Sequence, residues 1–173
     1  MQRLPAAVPD RFASLDRWIA QSMARVAMPT ARLAVAIVFI WFGGLKITGS
    51  SPAIELVTRT VYWADPAWFV PLLGWWEVAI GVCVLDPMWW GRWVRGGPAQ
   101  GGWFTRIGLL LLFVQMPGTF MPLVLLPDVC FQPGGAPTLE GQYIIKNFAL
   151  IAATLFIGGA VGGLARARPD EAQ

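Results

Sequence analysis

The sequence predicts an all-α integral membrane protein: a four-helix bundle preceded by an amphipathic helix that lies at the membrane interface. The first observation is composition, because 56% of the 173 residues are hydrophobic and 13% are charged, whereas soluble domains carry roughly 25% charged residues. The second is a set of four apolar segments, each near the ~20 residues that a membrane-spanning helix needs, at 31–47, 68–85, 103–126 and 143–164. The polar chain that remains is too short for another domain. We therefore expect an amphipathic segment at 1–28, a transmembrane domain at 29–165 and a polar tail at 166–173.

The N-terminal segment has the pattern of a surface helix. Over residues 11–26 its apolar side chains fall on one stripe and its charged side chains on the opposite face. This pattern is typical of a helix lying on the cytoplasmic face of a membrane. A helix packed on a partner protein is the alternative. No cleavable signal peptide is visible, so the first apolar segment is expected to be retained.

The arginines predict the orientation. They lie before the first span, between the second and third, and after the fourth, namely Arg3, Arg11, Arg17, Arg25, Arg92, Arg95, Arg166 and Arg168. The two loops on the opposite side contain only Arg59. The positive-inside rule then places both termini in the cytoplasm. The net charge of +3 reflects this topology, and no basic helix or aromatic-basic platform suggests nucleic acid.

The two outer loops contain helix signals of their own. In the loop at 49–65, Ser51 and Pro52 suit a cap and a first turn, and they predict a short helix on the outer face. In the loop at 127–141, Thr138 is a candidate cap for the fourth helix.

The third span contains two prolines, Pro117 and Pro122. A proline removes one helical hydrogen bond, so we expect a kink here. A broken helix that lines a transport site is the alternative.

The residue types exclude several chemistries. The chain contains no histidine and only two cysteines, Cys83 near the inner end of the second span and Cys130 in an outer loop. A membrane thickness between them rules out a disulfide, which requires Cα atoms within about 7 Å. No metal site and no cofactor held by a histidine or cysteine cluster is expected. Cys130 is either a reactive outer thiol, a bridge to another chain, or simply a spare small residue.

Glu77, near the middle of the second span, is the most informative residue. A carboxylate at that depth costs about 2.5–3.5 kcal/mol on insertion scales, so it should face protein and have a partner or a proton. Gln115 lies at the same depth, about 16 Å from the outer ends of the two helices, and is the best-matched partner. Because no full counter-charge is expected there, Glu77 should be largely protonated at neutral pH. Two interpretations stay open: a contact for a proton, a quinone or a partner subunit, and a hydrogen-bonded strut.

Further polar and small residues complete this picture. Lys46 is close to the outer surface, where depth favours an outward, snorkelling side chain or an acidic partner in the outer loops over a contact with Glu77. The predicted intramembrane polar seam consists of Lys46, Glu77, Gln115, Lys146 and Asn147. Small residues permit close helix packing, and the predicted packing positions are Gly43, Gly74, Gly81, Gly158 and Gly162.

Three segments resemble the DoxX-like family of small inner-membrane proteins. Arg32 followed by an apolar run that ends in Gly43-x-x-Lys46 is similar to the first helix of that family, and Pro71-x-x-Gly74-x-x-Glu77 to its second. Residues 142–147 resemble the start of the fourth helix in the branch of YkgB-type and reactive-chlorine-resistance membrane proteins. The resemblance covers about residues 30–165. It implies a four-helix bundle in the bacterial inner membrane, redox association and a quinone as a candidate cofactor. Bound lipid is expected as well. It carries over no catalytic residue, and the matching positions are Arg32, Lys46, Glu77 and Lys146.

Three functions follow as hypotheses. The first is a non-catalytic membrane subunit or anchor of a redox or stress-response system, with a quinone link, and not an enzyme on its own. The second is a small proton-coupled transporter or channel that works as an oligomer. The third is a structural accessory subunit of a respiratory or photosynthetic complex. All three require membrane lipid and either a protein partner or further copies of the chain.

Overall fold

The computed structural model describes residues 10–95 and 102–161, and within them the chain is helical, with no β-strand. The predicted tail at 166–173, the connection at 96–101 and Gly162 lie outside the described residues. Eight helices cover the described part, namely α1 (Asp10–Ile47), α2 (Ile54–Thr60), α3 (Pro66–Leu85), α4 (Pro87–Val94), α5 (Trp103–Leu125), α6 (Pro127–Cys130), α7 (Leu139–Ile145) and α8 (Asn147–Val161).

Four stretches of these helices are long and apolar enough to cross a membrane. They comprise α1, α3 with α4, α5, and α7 with α8, and each covers all or nearly all of the described part of one of the four apolar segments. The all-helical class and the four long apolar helices are therefore confirmed.

The first helix is longer than its apolar segment. α1 has 38 residues and contains Pro29, so at 1.5 Å per residue it is about 57 Å long. The boundary expected near residue 29 is thus not a helix boundary, because a proline removes one hydrogen bond without necessarily ending a membrane-type helix. Apolar side chains of the N-terminal half, such as Phe12, Trp18 and Met23, are exposed. The part of α1 that packs in the bundle is its C-terminal half.

The four long elements form a closed ring in the order α1, α3, α5, α8. The most extensive contact is between α1 and α3, and the next is between α3 and α5. α8 contacts both α5 and α1. The core between them is apolar and consists of Val35, Phe39, Ile80, Val84, Leu112, Met116 and Ile157. We call the end of the ring that carries α2 and α6 the α2 end, and the opposite end, which carries α4, the α4 end.

Close packing of α1 on α3 depends on glycines. A Cβ added to Gly43 would lie 2.6 Å from the Gly74 carbonyl oxygen, and one on Gly74 would lie 2.7 Å from that of Gly43. Farther along, a Cβ on Gly81 would lie 2.9 Å from the Ala36 carbonyl oxygen. Residue numbers rise on α1 as they fall on α3, so the two helices are antiparallel. Gly158 is looser, since its added Cβ would meet only Leu109, at 3.4 Å.

We expect Gly43→Ala to destabilise the bundle by about 1–3 kcal/mol, because the new methyl group pushes against backbone that cannot rotate away. The matched control is Gly44→Ala, where an added Cβ meets nothing within 4 Å. A helix gains up to about 1 kcal/mol from this exchange. Unfolding in mixed micelles with increasing SDS measures both variants, and equal stabilities would contradict the close α1–α3 contact.

Helix ends follow the sequence signals in part. Thr138 caps α7 as predicted, its hydroxyl accepting from the Gly141 N–H at 3.2 Å. Ser51 does not cap α2: the cap residue is Ala53, without a side-chain cap bond, and the Ser51 hydroxyl accepts from the Ala53 N–H instead. The short helix was predicted correctly, but it begins later than its signal indicated.

The proline-containing third span is one helix. α5 runs from Trp103 to Leu125 and includes both Pro117 and Pro122. The third span therefore contains no broken helix, and this removes the feature of that span which supported the transporter hypothesis.

Candidate functional site

A cavity lies inside the ring near the α2 end. Its volume is about 430 Å³, within the ~300–1,000 Å³ typical of small-molecule sites. Side chains from α1, α2, α3, α5, α7 and α8 line it, and most of them are apolar. Among the described residues of its wall, only Lys46 and Glu77 carry a charge.

These two residues form a buried ion pair. Lys46 Nζ lies 2.6 Å from Glu77 Oε2, and the two residues are 5% and 7% exposed. The second carboxylate oxygen, Oε1, accepts from Gln115 Nε2 at 2.8 Å. Both oxygens of Glu77 are therefore bound, one by a cation and one by an amide. The structure brings Glu77 and Gln115 together, and Glu77 faces the bundle interior.

Two expectations about this pair were wrong, namely that Lys46 points outward and that Glu77 lacks a counter-charge. Lys46 does not extend outward to the surface or to an acidic residue of the outer loops. Its long stem instead lets the ammonium group reach inward from the last turn of α1 to α3. Glu77 therefore has at hydrogen-bond distance the counter-charge that the prediction of a protonated carboxyl assumed to be absent.

The other two residues of the predicted polar seam differ in position, because one lines the cavity and the other does not. Asn147, the first residue of α8, is half-buried and lines the cavity. Lys146 lies between α7 and α8, has an exposed side chain and is not part of the cavity wall. Tyr143 joins the site instead, with its ring packed edge-on against Phe42 at 5.6 Å between centroids.

Two buried polar atoms in the cavity wall have no hydrogen-bond partner among the described residues. They are Gln115 Oε1, an acceptor, and Asn147 Nδ2, a donor. An unpaired buried polar group costs about 1–3 kcal/mol, so native proteins rarely retain one without a ligand, an ordered water or a role. Residues of the wall thus carry one unpaired acceptor and one unpaired donor in addition to the ion pair.

A second buried polar cluster lies at the α4 end. It was not predicted from the sequence. Arg32 is 1% exposed. Its Nη1 donates to the Val84 carbonyl oxygen at 2.8 Å and to the Thr105 hydroxyl at 2.9 Å. Its guanidinium carbon lies 4.6 Å from the centroid of the Trp89 ring. Arg32 therefore ties α1 to α3, α4 and α5.

Asp86 completes this cluster. It is fully buried and caps α4, accepting from the Trp89 N–H at 3.1 Å. It also accepts from the Thr105 hydroxyl at 2.8 Å and from the Gly102 N–H at 3.0 Å. The dipeptide Asp86-Pro87, a cap residue followed by proline at the first helical position, was the signal that could have identified it. Since its bonds join consecutive helices, this cluster fastens the bundle rather than forming a pocket.

The thiol of Cys130 is buried rather than exposed to solvent. Its side chain is 0% exposed and its thiol donates to the Pro122 carbonyl oxygen at 3.4 Å. Burial, and to a lesser degree the nearby negative charge of Glu140, raise the pKa of this thiol. The small-residue interpretation of Cys130 fits this geometry better than a reactive outer thiol. Among the described residues, no three His, Cys, Asp or Glu side chains are grouped as metal ligands.

No protein-family model matches this chain, and no curated protein or solved structure matches it either. The interpretation of the site therefore rests on its geometry. That geometry is an apolar chamber with a compensated ion pair and two unpaired polar atoms in its wall. Such a chamber suits a neutral, largely apolar molecule with a small polar head.

Proposed function

We propose that the protein is a multi-pass bacterial inner-membrane protein that holds a lipid-soluble neutral ligand of the quinone class and serves as the non-catalytic membrane subunit or anchor of a redox or stress-response system. The observation that carries the proposal is the apolar cavity walled by the Lys46–Glu77 pair. The resemblance to DoxX-like proteins supports the redox link.

The electrostatics of the wall favour a neutral ligand. Lys46 and Glu77 compensate each other at 2.6 Å, so an anionic or cationic guest would be left without a counter-charge in an apolar chamber. Burying an unpaired charge is far more costly than burying a hydrogen-bonded neutral group. The ammonium group has two further N–H bonds that can reach a carbonyl oxygen. A quinone presents such oxygens on an apolar ring.

The location of the cavity supports access from lipid. It lies close to the α2 end of helices that are apolar along their length, and large apolar side chains such as Trp41, Trp75 and Phe148 are exposed on the outside of the ring. In water, such a surface would drive aggregation, whereas in a bilayer it is the expected exterior. The arginine distribution supports an orientation with the α2 end outside and the α4 end in the cytoplasm.

The orientation has a direct test by cysteine labelling. Ala136 and Val94 are exposed at the α2 and α4 ends. In a Cys83→Ser, Cys130→Ala background, Ala136→Cys should react with an impermeant maleimide in intact spheroplasts, and Val94→Cys only after permeabilisation. The reverse pattern would contradict the proposed orientation.

Native Cys130 provides a second readout in a separate variant that carries Cys83→Ser alone. Because maleimide reacts with the thiolate and burial raises the pKa of this thiol, its labelling at neutral pH should be slow until the protein is denatured. Its rate should still increase with pH above the value near 8.5 at which an ordinary thiol levels off. Rapid labelling of native Cys130 at pH 7 would contradict its burial.

Ligand retention tests the function itself. The protein is extracted with surrounding lipid in native membrane particles, and its quinone content is measured per phospholipid against the bulk membrane. We expect enrichment for the wild-type protein and co-purification of a redox protein. Gly118 lines the cavity and has open space around its added Cβ, so Gly118→Leu should fill the chamber and abolish the enrichment.

Gly44→Leu is the matched control for this variant. Gly44 is also a helical glycine with nothing within 4 Å of an added Cβ, and it does not line the cavity. Both changes replace glycine by a better helix former, by about 1 kcal/mol, but only Gly118 lines the cavity. Wild-type protein without quinone enrichment, or equal enrichment in both variants, would contradict the proposal.

A further inference from the structure

The two unpaired polar atoms of the cavity wall restrict the chemistry of the ligand. Gln115 uses its amide nitrogen for Glu77, and its oxygen, buried and unpartnered among the described residues, still needs a donor. Asn147 Nδ2 is a buried donor that still needs an acceptor. A guest that satisfies both must itself donate and accept a hydrogen bond.

A hydroxyl group does both, and a carbonyl group does not. A hydroxyl has one O–H donor and two acceptor lone pairs, whereas a ketone or quinone oxygen only accepts. A carboxylic acid or an amine would also donate, but each ionises near neutral pH and would disturb the balance between Lys46 and Glu77. The wall therefore discriminates by hydrogen-bond donation within the class of neutral molecules.

Building on the proposed function, we propose that the cavity selects the hydroxyl-bearing form of its ligand: a neutral, lipid-soluble phenol or alcohol, such as a quinol, in preference to the corresponding quinone or ether. The hydroxyl donates to Gln115 Oε1 and accepts from Asn147 Nδ2. The apolar remainder of the ligand lies against the aromatic and aliphatic wall, which includes Trp76, itself fixed by a bond from its Nε1 to the Leu111 carbonyl oxygen at 3.2 Å.

The inference is tested with a redox-inert ligand pair, 4-dodecylphenol and 4-dodecylanisole, which differ in whether the oxygen can donate. The purified full-length protein is placed in nanodiscs of synthetic phosphatidylcholine, and binding is followed by saturable changes in tryptophan fluorescence and thermal stability. Concentrations are expressed as mole fraction in lipid, since both probes partition. An unsatisfied buried acceptor typically weakens binding about ten-fold, so the phenol should bind about ten-fold more tightly.

Variants inside and outside the cavity test whether the probes bind in the cavity. Gly118→Leu should abolish binding of the phenol, and Gly44→Leu should leave it unchanged. Asn147→Leu should weaken both probes by removing the donor that either oxygen can use. The neighbouring Lys146→Ala, which changes an exposed side chain outside the cavity, should weaken neither. If Gly118→Leu does not fold, the pair Asn147→Leu and Lys146→Ala still decides the location.

The outcomes distinguish failure of the hydroxyl preference from failure of the proposed function. Equal affinities for phenol and anisole, both lost in Gly118→Leu, would overturn the hydroxyl preference and leave the proposed function intact. Saturable binding of neither probe, or binding unaffected by both Gly118→Leu and Asn147→Leu, would overturn the cavity as a ligand site and the proposed function with it. A phenol preference that depends on Asn147 and on an open cavity supports both.

Discussion

Glu77→Leu is expected to lower the free energy of unfolding by about 3–5 kcal/mol, the usual cost of removing one partner of a buried ion pair. The substitution leaves Lys46 charged and 5% exposed without its carboxylate. It also leaves the Gln115 amide without the acceptor that it now reaches at 2.8 Å. The loss arises from these stranded groups rather than from the strength of the pair itself.

A double variant separates these causes. Lys46→Met combined with Glu77→Leu removes both charges and should recover most of the stability, because replacing a buried pair by apolar residues of similar size is often neutral. SDS titration in mixed micelles gives the four free energies of the cycle. A double variant as unstable as the sum of the two single variants would contradict direct coupling between Lys46 and Glu77.

The same pair determines how the role of Glu77 in ligand binding must be tested. Glu77→Gln alone would again leave Lys46 without a counter-charge, so it would change both stability and binding. Lys46→Gln together with Glu77→Gln keeps hydrogen-bonding side chains at both positions and removes both charges. If a neutral ligand is held by hydrogen bonds and cavity shape, this double variant should retain binding.

Asp86→Ala should have an effect of similar size at the other end of the bundle, about 3–5 kcal/mol of lost stability. It removes the cap of α4 and the acceptor for the Thr105 hydroxyl and the Gly102 N–H. Thr105 in turn accepts from Arg32, so a network that spans four helices loses its anion. Buried charged acceptors cost more to remove than exposed ones because the remaining donors cannot find water.

Asp65→Ala is the matched control. Asp65 caps α3 in the same way, accepting from the Ala67 N–H at 2.9 Å, but it is exposed. Loss of an ordinary cap costs about 1 kcal/mol. Equal losses for the two variants, measured by the same unfolding assay, would show that Asp86 acts only as a cap and that the network with Thr105 adds nothing.

Helix content and the contact of Glu77 with Gln115 could be predicted because they depend on local pattern and on depth. Four apolar segments of membrane-spanning length define four helices, and two polar residues equally far from the same end of antiparallel neighbours must lie at one level. The close packing at Gly43 and Gly74 was predictable for the same reason, since glycine at helical spacing marks a face that another helix can approach. These inferences need no knowledge of side-chain direction.

Predictions that depend on the direction of a side chain were wrong. Lys46 lies in the last turn of its helix, where its ammonium group could extend to either side, and depth alone favoured the surface. The carboxylate of Glu77 offers a binding partner inside, and only the distance between α1 and α3, set by Gly43 and Gly74, reveals that the stem can reach it. Arg32 was identified as a position that matches the DoxX-like pattern, and nothing in the sequence indicated that its guanidinium is buried against Trp89.

Photoaffinity labelling tests the central claim, a neutral ligand in the cavity beside the Lys46–Glu77 pair, most directly. A lipid-soluble quinol analogue with a diazirine on its ring is irradiated in membranes that contain the protein, and the labelled residues are mapped by mass spectrometry. We expect labels on cavity residues from three helices, such as Val57, Thr119 and Leu150, and their loss in Gly118→Leu but not in Gly44→Leu. Labels confined to the exposed exterior, at residues such as Trp41 and Trp75, would contradict the claim.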